Sequence, residues 1–190
     1  SFLAGQSLPC RRDLAVLFVD MVDSTPLLFR HDNERVLELV QAFMAVVVDT
    51  AVQHCGDVHD FEGDGAMLYF AGPDEALPAA FHLRSALESA RQLEPELPLA
   101  RLSVDAGPVV IGHIGTQFRR SLSFIGPCVN TAARLLKHAP VNGIAVTDAV
   151  YRHTLVESPE LADKFDAEPE RRKLKGFGDD ITSVYTAPWN

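Results

Sequence analysis

Apolar positions along the chain change period several times, and each change marks an element. Residues 13–21 (DLAVLFVDM) are almost wholly apolar and end in acid, the pattern of a strand covered on both faces in the middle of a sheet. Ser24, Thr25 and Pro26 then give a helix-start signal. From 33 to about 54, Val36, Leu39, Val40, Phe43, Val47 and Ala51 recur at the spacing of one helical face. Residues 58–61 and 66–70 read as two strands of a tight hairpin around Gly63-Asp64-Gly65. A second amphipathic helix, over 73–92, gathers Ala76, Ala79, Ala80, Leu83 and Leu87 on one side. Residues 99–106 and 109–114 read as two strands parted at Gly107-Pro108, and a further strand holds Ser123. A helix over 127–138 stops before Pro140, 143–146 is a strand, and weak alternation over 166–187 predicts a closing hairpin.

The order β-α-β-β-α-β is that of a ferredoxin-like split βαβ, so the expected class is α+β with additions at the C-terminal end. No repeat, linker or low-complexity stretch interrupts it. The charged stretch 157–175 is expected to be a solvated surface loop, which leaves one domain over 1–190 with its core at about 13–186.

Composition narrows the function classes. With 47% hydrophobic and 23% charged residues, the chain is neither disordered nor fibrous. Its formal net charge of −9 lacks the basic footprint of a duplex binder, so no nucleic-acid partner is expected. A small anionic substrate needs only local positive charge or a metal. Cys10, Cys55 and Cys128 are odd in number and form no CxxC, which argues against a zinc ribbon or disulfide framework and for a reducing, cytoplasmic setting. The longest unbroken apolar run, 42–48, is too short to cross a bilayer, and no basic leader precedes an apolar stretch, so neither a membrane partner nor a signal peptide is expected. Ser1 in place of an initiator methionine suggests a processed start.

Two acids stand out by position. Asp20 closes the first buried strand and Asp64 sits at the hairpin tip, and a split βαβ makes those elements neighbours. Paired carboxylates at strand ends can hold Mg²⁺ or Mn²⁺ against a triphosphate. Alone, each has a plainer role: Asp64-Gly65 is a common turn pair, and Asp20 can cap a strand. An aspartyl-phosphatase pattern fails, because Asp20 and Asp23 are three apart where two is needed and the element order is wrong. On the helix after Gly126-Pro127, Asn130 and Arg134 are i,i+4 and share a face. An amide and a planar cationic fork suit a nucleotide, and equally an ordinary solvated face.

Taken together, these residues resemble a family. Residues 18–25 (FVDMVDST) are similar to the first metal motif of class III nucleotidyl cyclases, the adenylate and guanylate cyclases, and 61–67 (FEGDGAM) to their second. Residues 104–115 (VDAGPVVIGHIG) resemble the strand pair that follows, and 124–135 (FIGPCVNTAARL) the helix bearing the transition-state residues. The resemblance implies the class III cyclase fold and a homodimer with two sites at its interface. It implies that Asp20 and Asp64, with the main-chain carbonyl of Met21, hold two Mg²⁺ or Mn²⁺ ions. Asn130 and Arg134 of the other subunit would orient the ribose and stabilise the transferring phosphoryl group. Lys175 stands where the family has a phosphate-binding lysine, or is one more solvated lysine. The implied reaction is attack of the ribose 3′-hydroxyl on the α-phosphate of a nucleoside triphosphate, expelling pyrophosphate.

Departures from the family pattern bear on the base. Asp60 stands where relatives acting on ATP carry lysine, and Ser123 where adenylate cyclases have Asp or Thr. A carboxylate repels the adenine N1 lone pair and seeks an N–H, which guanine (N1, N2) and uracil (N3) offer; a serine hydroxyl donates or accepts. The expected substrate is UTP, giving cyclic UMP as in compact pyrimidine cyclases of anti-phage defence; the alternatives are GTP and a non-catalytic nucleotide-binding module. Asp23 and Pro127, where relatives often have Gly and Asp, mark a divergent member. A cyclic-dinucleotide enzyme is disfavoured, because 62–66 (EGDGA) is not the Gly-Gly-Asp-Glu-Phe hairpin those enzymes carry.

Overall fold

Strand β1 (Cys10–Met21) lies inside an eight-stranded sheet, flanked by β3 (Gly65–Phe70) and β4 (Ala100–Thr116), both antiparallel to it. The computed structural model describes residues 3–174 and 181–189, apart from the side chains of Thr25, Glu62 and Ile181. With β2 (Asp57–Glu62) outside β3, the order β2-β3-β1-β4 is the expected split βαβ. The sheet then continues through β6 (Ile144–Thr147), parallel to β4, to β8 (Ile181–Ala187) and the edge strand β7 (Glu170–Lys173). Strand β5 (Arg119–Ile125) pairs only with the far half of β4, making a hairpin arm.

The unbroken apolar run of β1 follows from cover on both faces. Ala15, Leu17, Val19 and Met21 pack with Phe43, Met44 and Val47 of α2 (Asn33–Gln53) and with Leu77, Ala80 and Leu83 of α3 (Pro73–Leu93). Leu14, Val16 and Phe18 point the other way, against Met67, Tyr69, Ile111, Phe124 and two residues of α4 (Pro127–Leu135), Cys128 and Ala132. By the same alternation Asp20 falls on the α4 face, at the end of the strand. Helix α2 is long and apolar enough to cross a membrane by length and composition, with a mean hydropathy of 1.6. Its apolar stripe is instead seated on the sheet: Leu39, Phe43, Val47 and Ala51 are buried there.

Three expectations need correction. Residues 99–114 are not two strands parted at Gly107-Pro108. They form one strand, with Pro108 opposite Asp13 in the ladder: a proline's fixed φ suits extended backbone, and on its other side β4 has no ladder partner between its pairings with β6 (102–104) and β5 (110–116). The stretch 157–175 is not a simple surface loop either. It contains α6 (Pro159–Ala162) and β7, and it buries Ala162, Phe165 and Leu174. A helix not expected from the pattern, α5 (Asp148–Glu157), starts at Thr147, whose hydroxyl accepts from the Val150 N–H at 3.5 Å. The closing hairpin of β7 and β8 and the helix over 127–138, whose last turn (Leu136–His138) is 3₁₀, are as expected.

Candidate functional site

Asp20 and Asp64 are brought together by the β1–β3 ladder. Asp20 pairs with Gly65, the residue after Asp64, and the Met21 N–H donates to the Asp64 carbonyl at 3.0 Å. Gly65 allows that approach, since a Cβ there would stand 2.7 Å from the Val19 carbonyl oxygen. Beyond Met21 the chain turns at Asp23, whose φ of 55° is left-handed, and enters α1 (Ser24–Arg30). That turn returns Ser24 to the hairpin, where its hydroxyl donates to Asp64 Oδ2. A preference for glycine at position 23 has the same backbone cause.

The electrostatics of the pair fit a cation. Burial first of all, and also the charge of Asp64, push the Asp20 carboxyl up to about 6 against the lowering pull of Arg101. Asp20 Oδ1 is buried without a hydrogen-bond partner. Two carboxylates and a main-chain carbonyl are an all-oxygen donor set suited to Mg²⁺ or Mn²⁺. Among the described residues no cluster of three or more His, Cys, Asp or Glu could hold a metal. An ion held by this pair therefore needs further oxygens, such as those of a triphosphate.

Arg101 escaped the sequence reading. It pairs with Asp20 across the β1–β4 ladder, so both side chains project from the same face. Strand alternation from Leu102 and Val104, which face α3, was the signal that could have placed it.

Asn130 and Arg134 line a different cavity, of about 690 Å³, together with Lys137, His138 and Lys173. Helix α4 is held there by Ser103, fully buried on β4, whose hydroxyl donates to the Ala132 carbonyl at 2.7 Å. The structure thus joins Asn130 with Arg134 at this cavity and Asp20 with Asp64 at the β1–β3 ladder, where Asp64, with Met21 and Ser24, lines a separate cavity. Lys175 lies outside the described residues.

Asp60 pairs with Met67 on β3 and so shares the α4 face; its Oδ1 accepts the Phe61 N–H at 2.9 Å. A bulge at His59 precedes it, and the His59 ring centroid is 4.7 Å from that of Phe124 on β5. Ser123, the neighbour of Phe124, pairs with Gly112. The strands bearing Asp60 and Ser123 therefore meet through an aromatic contact.

The family model of the adenylate and guanylate cyclase catalytic domain matches residues 9–182. Among curated proteins, the uncharacterized protein Rv1318c of Mycobacterium tuberculosis is 37% identical over 131 residues, covering 67% of this chain and 24% of the relative. Rv1319c of the same organism is 34% identical over 146 residues, covering 74% of this chain and 27% of the relative. The chain spans about a quarter of the length of these relatives. Among solved structures, the adenylyl cyclase CyaB of P. aeruginosa superposes with a TM-score of 0.84 at 20% identity, covering 97% of each chain. The guanylate cyclase domain of RhGC from Catenaria anguillulae, in complex with GTP, gives 0.79 at 18% identity, over 94% of this chain and 98% of that one. The chain belongs to the adenylate and guanylate cyclase catalytic domain family.

Proposed function

We propose that this domain converts a nucleoside triphosphate into a 3′,5′-cyclic nucleotide and pyrophosphate, with UTP the preferred substrate and GTP the competing one. The observation that carries the cyclase reading is the clasped pair Asp20 and Asp64, whose buried oxygen lacks a partner and whose carboxyl is pushed upward. Asp20, Asp64 and the Met21 carbonyl are the groups to hold two Mg²⁺ or Mn²⁺ ions. Such ions, when bound, neutralise the triphosphate and acidify the ribose 3′-hydroxyl. Ser24 fixes the orientation of Asp64, and Arg101 offers positive charge beside Asp20. In the reaction the 3′-oxygen forms a bond to the α-phosphorus while the bond to the pyrophosphate oxygen breaks. Asn130 orients the ribose and Arg134 meets the charge that develops on the phosphoryl group. Lys175 is assigned to the phosphates on family resemblance alone.

Because Asp64 lines one cavity and Asn130 and Arg134 another, a complete site is best built from two copies of the chain, one giving the acids and the other Asn130 and Arg134. The exposed apolar residues Val110, Ile114, Phe118 and Ile125 of the β4–β5 arm support a two-fold homodimer. Free Cys10, Cys55 and Cys128 accord with a cytoplasmic location.

The base preference rests on Asp60. Its carboxylate, held by the Phe61 N–H, selects a base with an N–H on its pairing edge and disfavours adenine. The aromatic contact of His59 with Phe124 beside it narrows the space for the base, which favours uracil over guanine. Cyclic UMP would then serve as a second messenger, with the anti-phage role that resemblance to pyrimidine cyclases implies. The test is competition of UTP against GTP with products weighed by mass. The reading expects cyclic UMP to dominate in the wild type and the preference to collapse in Asp60→Asn; predominant cyclic GMP would transfer the assignment to the alternative.

A further inference from the structure

Beyond Arg134 the same cavity carries positive charge that no step above uses. Lys137 and His138 follow Asn130 and Arg134 at i+7 and i+8, so the stripe continues for one more turn. Leu136, between them and Arg134, turns away to pack against the core of the α4 face. Lys173, the last residue of β7, closes the cavity from the sheet edge. No acid is among the described residues that line it. Glu170 of the same strand is engaged by Arg172, whose Nε donates to it at 2.9 Å. Burial and the charge of Arg172 hold His138 below its ordinary range despite Glu170, which leaves it a neutral hydrogen-bonding group at pH 7.

We propose that Lys137 and His138, with Lys173, form a pyrophosphate-binding wall that holds the β- and γ-phosphates of the substrate and then the leaving pyrophosphate. The proposal rests on the reading of this cavity as the phosphoryl-transfer half of the site. Its chemistry is that of a polyanion ligand. A lysine ammonium acts as a point charge on phosphate, an imidazole N–H adds a directed donor, and about 690 Å³ accommodates a diphosphate beside Asn130 and Arg134. One wall that contains Arg134 and extends one turn past it places the α-phosphate and the leaving group in sequence along the helix.

The test is a calorimetric titration of the full chain with sodium pyrophosphate, without divalent metal and without nucleotide, in parallel with inorganic phosphate. Pyrophosphate is expected to bind more tightly than phosphate. Binding should weaken about tenfold in Lys137→Ala and about threefold in His138→Gln, and Lys137→Arg should stay within about twofold of the wild type. Arg152→Ala, which removes the same charge from an exposed position on α5, should leave it unchanged. Circular dichroism melts confirm that each variant is folded. Equal affinity for the two anions, or pyrophosphate binding in Lys137→Ala as tight as in Arg152→Ala, overturns the proposal. Metal and turnover play no part in this measurement, so its failure leaves the cyclase reading intact. A chain that cyclises no nucleotide would be detected separately.

Discussion

Asp20 and Arg101 are paired across the β1–β4 ladder at the end of β1, so an acid driven upward by burial has a guanidinium beside it. The cation offsets part of the desolvation without neutralising it. Asp20 is mostly ionised at pH 7, and Arg101 sets positive charge beside the pair proposed to hold the metal ions. Arg101→Met is expected to raise the Asp20 carboxyl further above about 6, shift the acidic limb of the activity profile to higher pH, and raise KM more than it lowers kcat. A pH–rate series on both proteins measures all three.

The sign of the Asp20 shift makes a second prediction. A carboxyl raised from 3.8 to about 6 binds its proton more tightly folded than unfolded, so metal-free stability falls as pH rises through that window. Asp20→Asn removes the penalty. Its metal-free melting temperature at pH 7 should exceed that of the wild type and change less between pH 4 and 6, while turnover is lost. Mn²⁺ added at pH 6 should stabilise the wild type and release about half a proton per site from Asp20, which calorimetry in buffers of different ionisation enthalpy detects.

Ser24 holds Asp64 through a hydroxyl, and its loss should appear first in metal affinity. Ser24→Ala is expected to weaken Mn²⁺ binding about tenfold with the fold intact, and Ser24→Thr to keep most of it. Electron paramagnetic resonance of free Mn²⁺ reads this directly.

The hairpin tolerates no side chain at Gly65. Alanine there would place a Cβ 2.7 Å from the Val19 carbonyl oxygen, forcing β3 away from β1. We expect Gly65→Ala to cost about 1–3 kcal/mol in denaturant unfolding and to cut activity by more than that loss explains, because Asp64 moves with the strand.

Much of this architecture was legible because its signals are local. The run at 13–21, the Gly63-Asp64-Gly65 turn and the i,i+4 spacing of Asn130 and Arg134 each depend on neighbouring residues alone. What escaped depends on partners far along the chain. Pro108 sits within a strand because β1 pairs with the residues before and after it while its other side is unpaired there, and Arg101 matters because the ladder sets it against Asp20. Phe165 and Leu174 are buried in a stretch that composition marked as solvated, since charged neighbours masked two inward-facing apolar residues. Helix α5 was hidden because polar residues break its stripe, although Thr147-Asp148 is an ordinary helix start.

The two-copy site predicts complementation. Asp20→Ala and Asn130→Ala should each be inactive, yet their equimolar mixture, after subunit exchange, should recover about a quarter of wild-type activity, because half the dimers would carry one intact site of two. A mixture as inactive as its parts would place the whole site within one chain.

The most direct test of the central claim is incubation of the purified protein with each of the four nucleoside triphosphates and Mn²⁺, with products identified by mass. The account predicts a 3′,5′-cyclic nucleotide and pyrophosphate, cyclic UMP foremost, and none of either from Asp64→Ala. Cyclic AMP as the main product would contradict the role given to Asp60, and equal turnover by Asp64→Ala would contradict the site itself.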